Sequence, residues 1–398
     1  MARTSATKDS TTREAWTFVL ISFALSRLLF LGAGVLATSY LPPADPAGDP
    51  LEPPGFLSYW AHWDGAWYSQ IAVEGYGEMA APASTAFFPL YPMLMRLGTI
   101  WGGGPALWGV LISLVATPFA LFFLYRIAER LHNTRAARAA TLALAFFPTA
   151  FFLNAVYSEA LFLALATGAV WAALVRRNLL LAGVFGALAA ATRNLGVILV
   201  LPLFLEWLRH RREFGPSALA GIALVPAGFL AYAGFLWARF GDPLVSARQQ
   251  EEHWGRELAN PFATLREAWQ AARDGTKYLL DPGTLFLSPS ATPTLEASNA
   301  LNLAVLALFL ILLVIGLFVL PRGLSLYALV VVLLPLLTPA PSFPLMSLPR
   351  LLLGAFPIFL VLGYLLSRSR PVLVLYLLLS TSTGVALTVL FTTWRWVA

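Results

Sequence analysis

Residues 299–319 read NALNLAVLALFLILLVIGLFV, a run of 21 residues that contains no charged side chain. A run of this length and composition can cross the hydrocarbon core of a bilayer as one α-helix. The whole 398-residue chain has the same character, because 59% of its residues are hydrophobic and only 12% are charged. Water-soluble domains carry about 25% charged residues. The sequence therefore predicts an all-α polytopic membrane protein.

Apolar runs of similar composition recur along the chain, and we assign eleven of them as transmembrane helices. Two long loops, residues 39–104 and 239–298, interrupt the series. Within the first loop, residues 86–101 are expected to form a helix at the outer membrane surface. Residues 1–398 thus form a single transmembrane domain. The predicted spans are 16–38, 105–125, 139–154, 158–175, 179–193, 195–208, 217–238, 299–319, 323–338, 350–366 and 371–393.

The connections between these spans fall into two sets that differ in basic content. One set includes the N-terminus and holds 15 Lys and Arg residues with five acidic residues. The other set includes both long loops, and the loop 39–104 carries six acidic residues and a single basic residue, Arg96. Basic loops remain in the cytoplasm. We therefore expect a multi-pass protein of the cell membrane with a cytoplasmic N-terminus, an outer C-terminus and residues 39–104 outside.

Several classes of function have no support in the sequence. Walker A, G-x-S-x-G and dinucleotide-binding motifs are missing, so ATP-driven transport by this chain alone, serine hydrolysis and hydride transfer are not predicted. The chain has no cysteine, and it lacks H-E-x-x-H and D-x-D motifs. No metal site is predicted from such motifs. The basic residues follow the predicted membrane sides, and no nucleic-acid partner is expected.

The first long loop contains an aspartate within a cluster of aromatic residues. Residues 59–68 read YWAHWDGAWY, with Asp64 between Trp63 and Gly65 and with His62 two residues earlier. A carboxylate at a membrane surface can accept a proton from a sugar hydroxyl, and aromatic rings suit the apolar faces of a pyranose. The alternative is an interfacial aromatic belt around a solvated Asp64. The sequence pattern alone supports both interpretations equally.

Three outer junctions between predicted spans carry further candidates. Tyr157 and Glu159 lie in a short turn, where Glu159 is expected either to bind a sugar hydroxyl or to complement a helix dipole behind a Ser158 cap. Arg193 and Arg350 lie at helix ends on the same predicted side. Guanidinium groups there suit a phosphate or phosphodiester, and the alternative is snorkelling towards lipid phosphates.

Arg27 lies near the middle of the first predicted span. An arginine at this depth costs about 2.5–3.5 kcal/mol on insertion scales, so it must face the bundle interior or water. A phosphate or carboxylate partner and a structural ion pair are equally compatible with its position. The sequence leaves its role open.

Four segments together resemble the PIG-V-type mannosyltransferases, whose eukaryotic members add the second mannose to the glycosylphosphatidylinositol anchor. The compact loops and the absence of an evident targeting sequence indicate a prokaryotic relative. The specific part of the resemblance lies within residues 60–200. Its segments are Trp63-Asp64-Gly65 with Ile71-Ala72 and Gly75-Tyr76, Phe87-Phe88-Pro89-Leu90-Tyr91-Pro92, Tyr157-Ser158-Glu159-Ala160-Leu161-Phe162, and Ala191-Thr192-Arg193-Asn194-Leu195-Gly196.

The resemblance implies a GT-C type helical bundle that transfers a sugar, commonly mannose, from a polyprenyl phosphate to a lipid or glycan acceptor. It also implies an inverting reaction in which Asp64 is the catalytic base and Arg193 or Arg350 stabilises the departing phosphate. A divalent cation held jointly by Asp64 and Glu159 remains open. The candidate substrate-binding residues are His62, Trp63, Tyr91, Tyr157, Glu159, Arg193, Arg350 and Arg27.

Two other functions compete with this interpretation. A transporter or flippase of lipid-linked sugars would show repeats and a polar site near the membrane midplane, whereas an enzyme is expected to have its polar cleft at the outer face. A non-catalytic sugar-binding protein would bind the donor without turnover. Membrane lipids surround the chain in every case.

Overall fold

The computed structural model of the chain describes residues 2–44, 57–77, 82–341 and 343–397, with side chains from residue 12 onward. Within these ranges the protein is helical and contains no strand, which confirms the predicted all-α class. Parts of the predicted loop 39–104, namely residues 45–56 and 78–81, lie outside the described residues. The side chains of Arg3 and Lys8, which the sidedness prediction counted, also lie outside them.

The α-helices follow one another with short 3₁₀ segments between some of them. The 3₁₀ segments are Ser58–Trp60, Pro82–Ala86, Ala150–Leu153, Asn194–Leu199, Pro216–Ala218 and Leu352–Gly354. The α-helices of the described residues are α1 Ala2–Tyr40, α2 Asp64–Glu74, α3 Leu90–Thr99, α4 Pro105–Leu131, α5 Thr134–Ala145, α6 Glu159–Leu174, α7 Leu179–Thr192, α8 Val200–Arg209, α9 Arg211–Phe214, α10 Leu219–Leu224, α11 Ala227–Phe240, α12 Val245–Trp254, α13 Pro261–Leu279, α14 Pro282–Leu287, α15 Thr292–Val319, α16 Arg322–Leu337, α17 Leu348–Leu351, α18 Phe356–Leu366 and α19 Arg370–Thr392.

Each of the eleven predicted spans overlaps a helix, but the helices differ in length. Among the described residues α1, α4, α15 and α19 are long and apolar enough to cross a membrane. Two bent pairs raise this number to six if each pair is one span, namely 216–224 with 227–240, bent by 42°, and 348–354 with 356–366, bent by 87°. Helices α6, α7 and α16 are apolar but shorter. The count of eleven crossings therefore stays a prediction.

The predicted span 139–154 is not one continuous helix. Helix α5 ends at Ala145, and turns lead into the 3₁₀ segment Ala150–Leu153. Pro148 lies in this break. Proline has no backbone N–H to donate to the preceding turn, and its ring clashes with the carbonyl four residues earlier. The proline thus accounts for the early end of α5.

Small residues let α7 approach α10 and α11 very closely. A Cβ atom on Gly183 would lie 1.9 Å from the carbonyl oxygen of Gly221, and one on Gly228 would lie 1.9 Å from that of Ala187. On Gly186 a Cβ would lie 2.8 Å from a methyl group of Val225. Membrane helices use small residues in this way to bring their backbones together. Gly183 and Gly186 therefore allow the close packing of α7 against its neighbours.

Ion pairs connect the helix ends in two separate groups. Arg193, after α7, pairs with Glu159, at the start of α6, with 2.8 Å between Nη1 and Oε1. Arg177, before α7, instead pairs with Glu206 of α8, with 2.7 Å between Nη1 and Oε1. The alternation of basic loops assigns the first pair to the outer side and the second pair to the cytoplasmic side. The two pairs lie at opposite ends of α7, and their assignment to the two sides of the membrane stays a prediction.

We expect Gly183→Ala to destabilise the bundle, because the added methyl group would overlap the backbone of α10. Overpacking of this kind costs about 1–3 kcal/mol. The measurement is the apparent melting temperature of the detergent-solubilised protein. Gly234→Ala in α11 is the control, since a Cβ there meets open space and alanine is the better helix former. Equal melting temperatures for the two variants would contradict the close packing of α7.

Candidate active site

A cavity of about 440 Å³ lies among α2, α7, α11, α12, α16 and α17. Four described residues of its lining are charged, namely Asp64, Arg193, Arg256 and Arg350. Most of the remaining lining is apolar or aromatic and includes Phe87, Phe88, Phe229, Tyr232, Leu236, Trp254, Val331, Leu334, Leu351 and Trp396. A mostly apolar cavity with a few convergent charged groups is typical of a small-molecule site.

Asp64 occupies the first position of α2 because the backbone turns sharply at Trp63. Trp63 has φ 51° and ψ −114°, a conformation that costs a non-glycine residue about 1–3 kcal/mol. Its ring packs against Phe391, Trp394 and Trp396 at centroid distances of 5.2, 5.7 and 5.3 Å. This packing holds the turn, and the Asp64 carboxylate lies at the partially positive N-terminus of α2.

Asp64, Arg350, Glu159 and Arg193 form an ion-pair network of alternating charge. Arg350 lies between the two acids, with Nη1 2.7 Å from Oδ2 of Asp64 and Nε 3.4 Å from Oε1 of Glu159. The same Glu159 oxygen accepts a hydrogen bond from Nη1 of Arg193 at 2.8 Å. The Glu159 side chain is 4% exposed and that of Asp64 is 27% exposed. Asp64 is thus the accessible acid of the network.

Tyr157 packs its ring against the guanidinium of Arg350 and is not part of the cavity lining. The guanidinium carbon of Arg350 lies 5.0 Å from the centre of the Tyr157 ring and 5.5 Å from that of Phe152. The Tyr157 hydroxyl donates to the carbonyl oxygen of His62 at 2.8 Å. Burial raises the pKa of Tyr157, so its hydroxyl stays protonated and remains a donor. Tyr157 therefore links Arg350 to the loop that carries Asp64.

Ser158 does not form the predicted helix cap. Its side chain makes no capping hydrogen bond at the start of α6. The hydroxyl instead accepts from Nη1 of Arg193 at 3.2 Å and lies 2.8 Å from the hydroxyl of Tyr68. The predicted cap is wrong because these side-chain partners compete with the backbone N–H groups for the same oxygen. Ser158 thus connects the ion-pair network to Tyr68, which lines the cavity.

His62 is buried behind Asp64 and is not part of the cavity lining. Its Nδ1 lies 3.1 Å from the carbonyl oxygen of Phe391, and its ring stacks on Trp394 at 3.7 Å. Burial lowers the pKa of His62 to about 3, although the hydrogen bond to Phe391 acts in the opposite direction. The imidazole is therefore neutral at physiological pH, and Nδ1–H is the donor to Phe391.

Tyr91 and Arg27 also lie away from the cavity lining. The Tyr91 hydroxyl donates to the carbonyl oxygen of Gly109 at 2.9 Å, and its ring packs edge-on against Tyr68. Arg27 donates to the carbonyl oxygens of Ala145 and Ala150, each at 2.9 Å, and to Oδ1 of Asn154 at 2.9 Å. Carbonyls at a helix end lack intrahelical partners. The geometry therefore favours a structural role for Arg27, in which neutral oxygens take the place of the phosphate, carboxylate or ion-pair partner considered from the sequence.

Asp64 and Glu159, the two acids considered for a divalent cation, are separated by Arg350. A cation bound between them would have to displace this guanidinium. In the part of the chain that the structure describes, no three His, Cys, Asp or Glu residues converge as metal ligands. The two carboxylates are therefore arranged to bind the guanidinium of Arg350 rather than a metal ion.

Arg256 and Trp396 are among the lining residues that the sequence does not single out. Arg256 is one of several basic residues in the loop 239–298, and nothing in its sequence context distinguishes it from them. Trp396 packs against Trp63, and its Nε1 is buried without a hydrogen-bond partner. Both residues are far from Asp64 in the sequence, so only the folded structure shows that they share its cavity.

Residues 54–206 match the family described as Mannosyltransferase (PIG-V). Over this segment the chain is similar to the PIG-V mannosyltransferases. The predicted resemblance is thereby confirmed over residues 54–206, and the match supports a glycosyltransferase. The matched segment carries Asp64, Glu159 and Arg193, whereas Arg256 and Arg350 lie beyond its end.

The chain is also similar to a solved structure, the oligosaccharyltransferase of Archaeoglobus fulgidus in complex with Zn and sulfate. The two share 12% sequence identity with a TM-score of 0.46, and the likeness covers 95% of this chain. It covers 53% of the other protein, so this chain spans about half the length of that enzyme. The curated proteins contain no match to this chain.

We expect acid to destabilise the protein through His62. An unfolded histidine titrates near pH 6.5, whereas the folded pKa is about 3. Between these values the unfolded state binds more protons, so stability falls as the pH is lowered through this window. From pH 7 to pH 4.5 the loss is about 2–3 kcal/mol.

The measurement is the thermal unfolding of the wild-type protein and of His62→Asn across this pH range. Asparagine retains a donor for the Phe391 carbonyl but does not titrate. The difference between the two pH profiles isolates His62, because all other titrating groups are shared. Parallel profiles would show that His62 is not buried in the neutral form.

Proposed function

We propose that this chain is a membrane-embedded inverting glycosyltransferase of GT-C type that moves a sugar, with mannose as the first candidate, from a polyprenyl-phosphate donor to an extracytoplasmic lipid or glycan acceptor. The PIG-V match over residues 54–206 supports the transfer reaction. The observation that carries the proposal is the partly exposed Asp64 carboxylate on the wall of a cavity that also contains guanidinium groups and apolar side chains.

Asp64 acts as the general base in this proposal. Its carboxylate takes the proton of the acceptor hydroxyl, and the hydroxyl oxygen forms a bond to the anomeric carbon of the donor. The bond from that carbon to the phosphate oxygen breaks, and its electron pair leaves with the polyprenyl phosphate. One base and one displacement invert the anomeric centre. Positioned general-base catalysis contributes about 10²–10⁴-fold to a rate.

Arg350 orients the base. It binds Oδ2 of Asp64, and no described residue forms a hydrogen bond to Oδ1, which leaves that oxygen for the acceptor hydroxyl. Glu159 is nearly fully buried and is not part of the cavity lining. It therefore acts as a positioning residue that holds Arg350 and Arg193, rather than as a ligand for a sugar hydroxyl. Removing one partner of a buried ion pair leaves an uncompensated charge.

The location of the polar groups favours an enzyme over the transporter alternative. Asp64 begins α2, Arg193 follows α7, and Arg350 lies in the short helix α17. All three are at helix ends that the basic-loop alternation assigns to the extracytoplasmic side. A midplane site opening to each side in turn would draw its polar groups from the middles of long helices.

We expect Asp64→Asn to abolish sugar transfer while the protein still folds, because asparagine cannot accept the proton. The loss should be at least about 10²-fold. The measurement is release of polyprenyl phosphate from a polyprenyl-phosphate mannose by purified protein, together with sugar transfer to a lipid acceptor. Glu74→Gln is the matched control, since Glu74 is an exposed acid at the opposite end of α2. Normal turnover by Asp64→Asn would remove this residue from the mechanism.

The proposed orientation can be tested by labelling, because the natural chain has no cysteine. We expect Glu74→Cys in α2 to react with a membrane-impermeant maleimide in intact cells. Arg212→Cys in α9 should react only after permeabilisation. Both positions are exposed in the folded protein, so access depends on the side of the membrane. The reverse pattern would place Asp64 in the cytoplasm and rule out an extracytoplasmic active site.

A further inference from the structure

The arginines around the cavity outnumber the acidic residues that pair with them. Arg193 and Arg350 are matched by Glu159 and Asp64 in the ion-pair network. Arg256 also lines the cavity, yet it forms no ion pair with any acid among the described residues. The cavity thus carries one positive charge that the protein itself does not neutralise. An anionic ligand would neutralise it.

The guanidinium of Arg256 has N–H donors that are not used in hydrogen bonds within the protein. Its Nη1 lies 3.3 Å from the carbonyl oxygen of Thr338, and its Nη2 lies 3.4 Å from that of Met346. Both distances are longer than the usual 2.7–3.2 Å for such bonds. A guanidinium carries five N–H donors, so most of them remain available. Burial, followed by repulsion from Arg350, lowers the pKa of Arg256 to about 10, and the group is still charged at neutral pH.

The backbone around Arg256 is fixed in place. Gly255 has φ +62°, and a Cβ there would lie 2.5 Å from the ring of Pro341. Three residues beyond Arg256, the backbone N–H of Ala259 donates to the carbonyl oxygen of Leu337 at 2.9 Å. The second outer loop thus packs against Pro341, beyond α16, just before Arg256, and it is hydrogen-bonded to the end of α16 just after it. Such anchoring presents a guanidinium in a defined position.

We propose that Arg256 binds the phosphate group of the polyprenyl-phosphate donor, an inference that rests on the proposed function. A guanidinium pairs with phosphate through two parallel hydrogen bonds. Arg193 and Arg350 are already held by carboxylates, so Arg256 is the cation free to receive a new anion. The apolar residues that share the cavity, including Val331 and Leu334 of α16, suit the isoprenoid units next to that phosphate.

The test compares the binding of undecaprenyl phosphate and of undecaprenol to the full-length protein in detergent by isothermal titration. The wild-type protein should prefer the phosphate. Arg256→Gln should weaken the binding of undecaprenyl phosphate by about 10–100-fold, as expected for the loss of hydrogen bonds to a charged group. Its binding of undecaprenol should not change, because the alcohol offers no anion.

Arg266→Gln is the matched control. It removes the same charge from the same outer loop, at an exposed position of α13 outside the cavity lining, and should bind both lipids as the wild-type protein does. Phosphatidylglycerol serves as a second lipid probe. If phosphatidylglycerol competes for the site as strongly as undecaprenyl phosphate, the site binds any lipid phosphate. The assignment of Arg256 to the phosphate of the donor is then overturned.

The outcomes separate this proposal from the proposed function. A wild-type protein without preference for the phosphate would overturn the polyprenyl-phosphate donor, and the role of Arg256 with it. A preference that persists unchanged in Arg256→Gln would overturn only the role of Arg256. If the glutamine variant fails to fold, Arg256→Lys replaces it, since lysine keeps the charge but loses the planar fork. Wild-type affinity for undecaprenyl phosphate in that variant would also count against the proposal.

Discussion

Arg350 lies between two carboxylates, 2.7 Å from Asp64 and 3.4 Å from Glu159, in a protein whose interior is otherwise mainly apolar. Charges removed from water must be paired, because each unpaired ion carries a large desolvation cost. This constraint joins α2, α6, α17 and the end of α7, which are distant in sequence. The position of the accessible carboxylate follows from it, since Asp64 is the terminal acid of a network whose other members are largely buried.

Aromatic residues outside the cavity lining hold the ion-pair network in position. His62 and Trp63 are packed against the C-terminal residues Phe391 and Trp394, and Tyr157 connects the loop of His62 to Arg350. None of these contacts requires a substrate. His62, Trp63 and Tyr157, which the sequence suggested as substrate ligands, thus contact the residues around Asp64 and lie outside the cavity lining. An active site benefits from such support, because a catalytic group must be held within a fraction of an ångström.

The cavity combines segments with different relations to the PIG-V family. Asp64 and Arg193 come from the matched part of the chain, whereas Arg256 and Arg350 come from beyond residue 206. The second outer loop therefore belongs to the proposed active site and does more than connect α11 to α15. Apolar and cationic side chains in one cavity match the two parts of a polyprenyl phosphate, a hydrocarbon chain and an anionic head.

The sequence by itself determined the helical class, the positions of the apolar segments, the two sets of loops and the resemblance to the PIG-V family over part of the chain. These properties depend on local composition and on short motifs, which need no knowledge of the fold. Only the tertiary structure decided that Arg350 binds Asp64, that Arg27 and Tyr91 lie away from the cavity and that Arg256 lines it. Such contacts depend on how each helix is rotated and how closely neighbours pack, as where Gly183 meets Gly221. Hydrophobic residues all around a helix leave that rotation undetermined in the sequence, because every face is then equally compatible with burial or lipid.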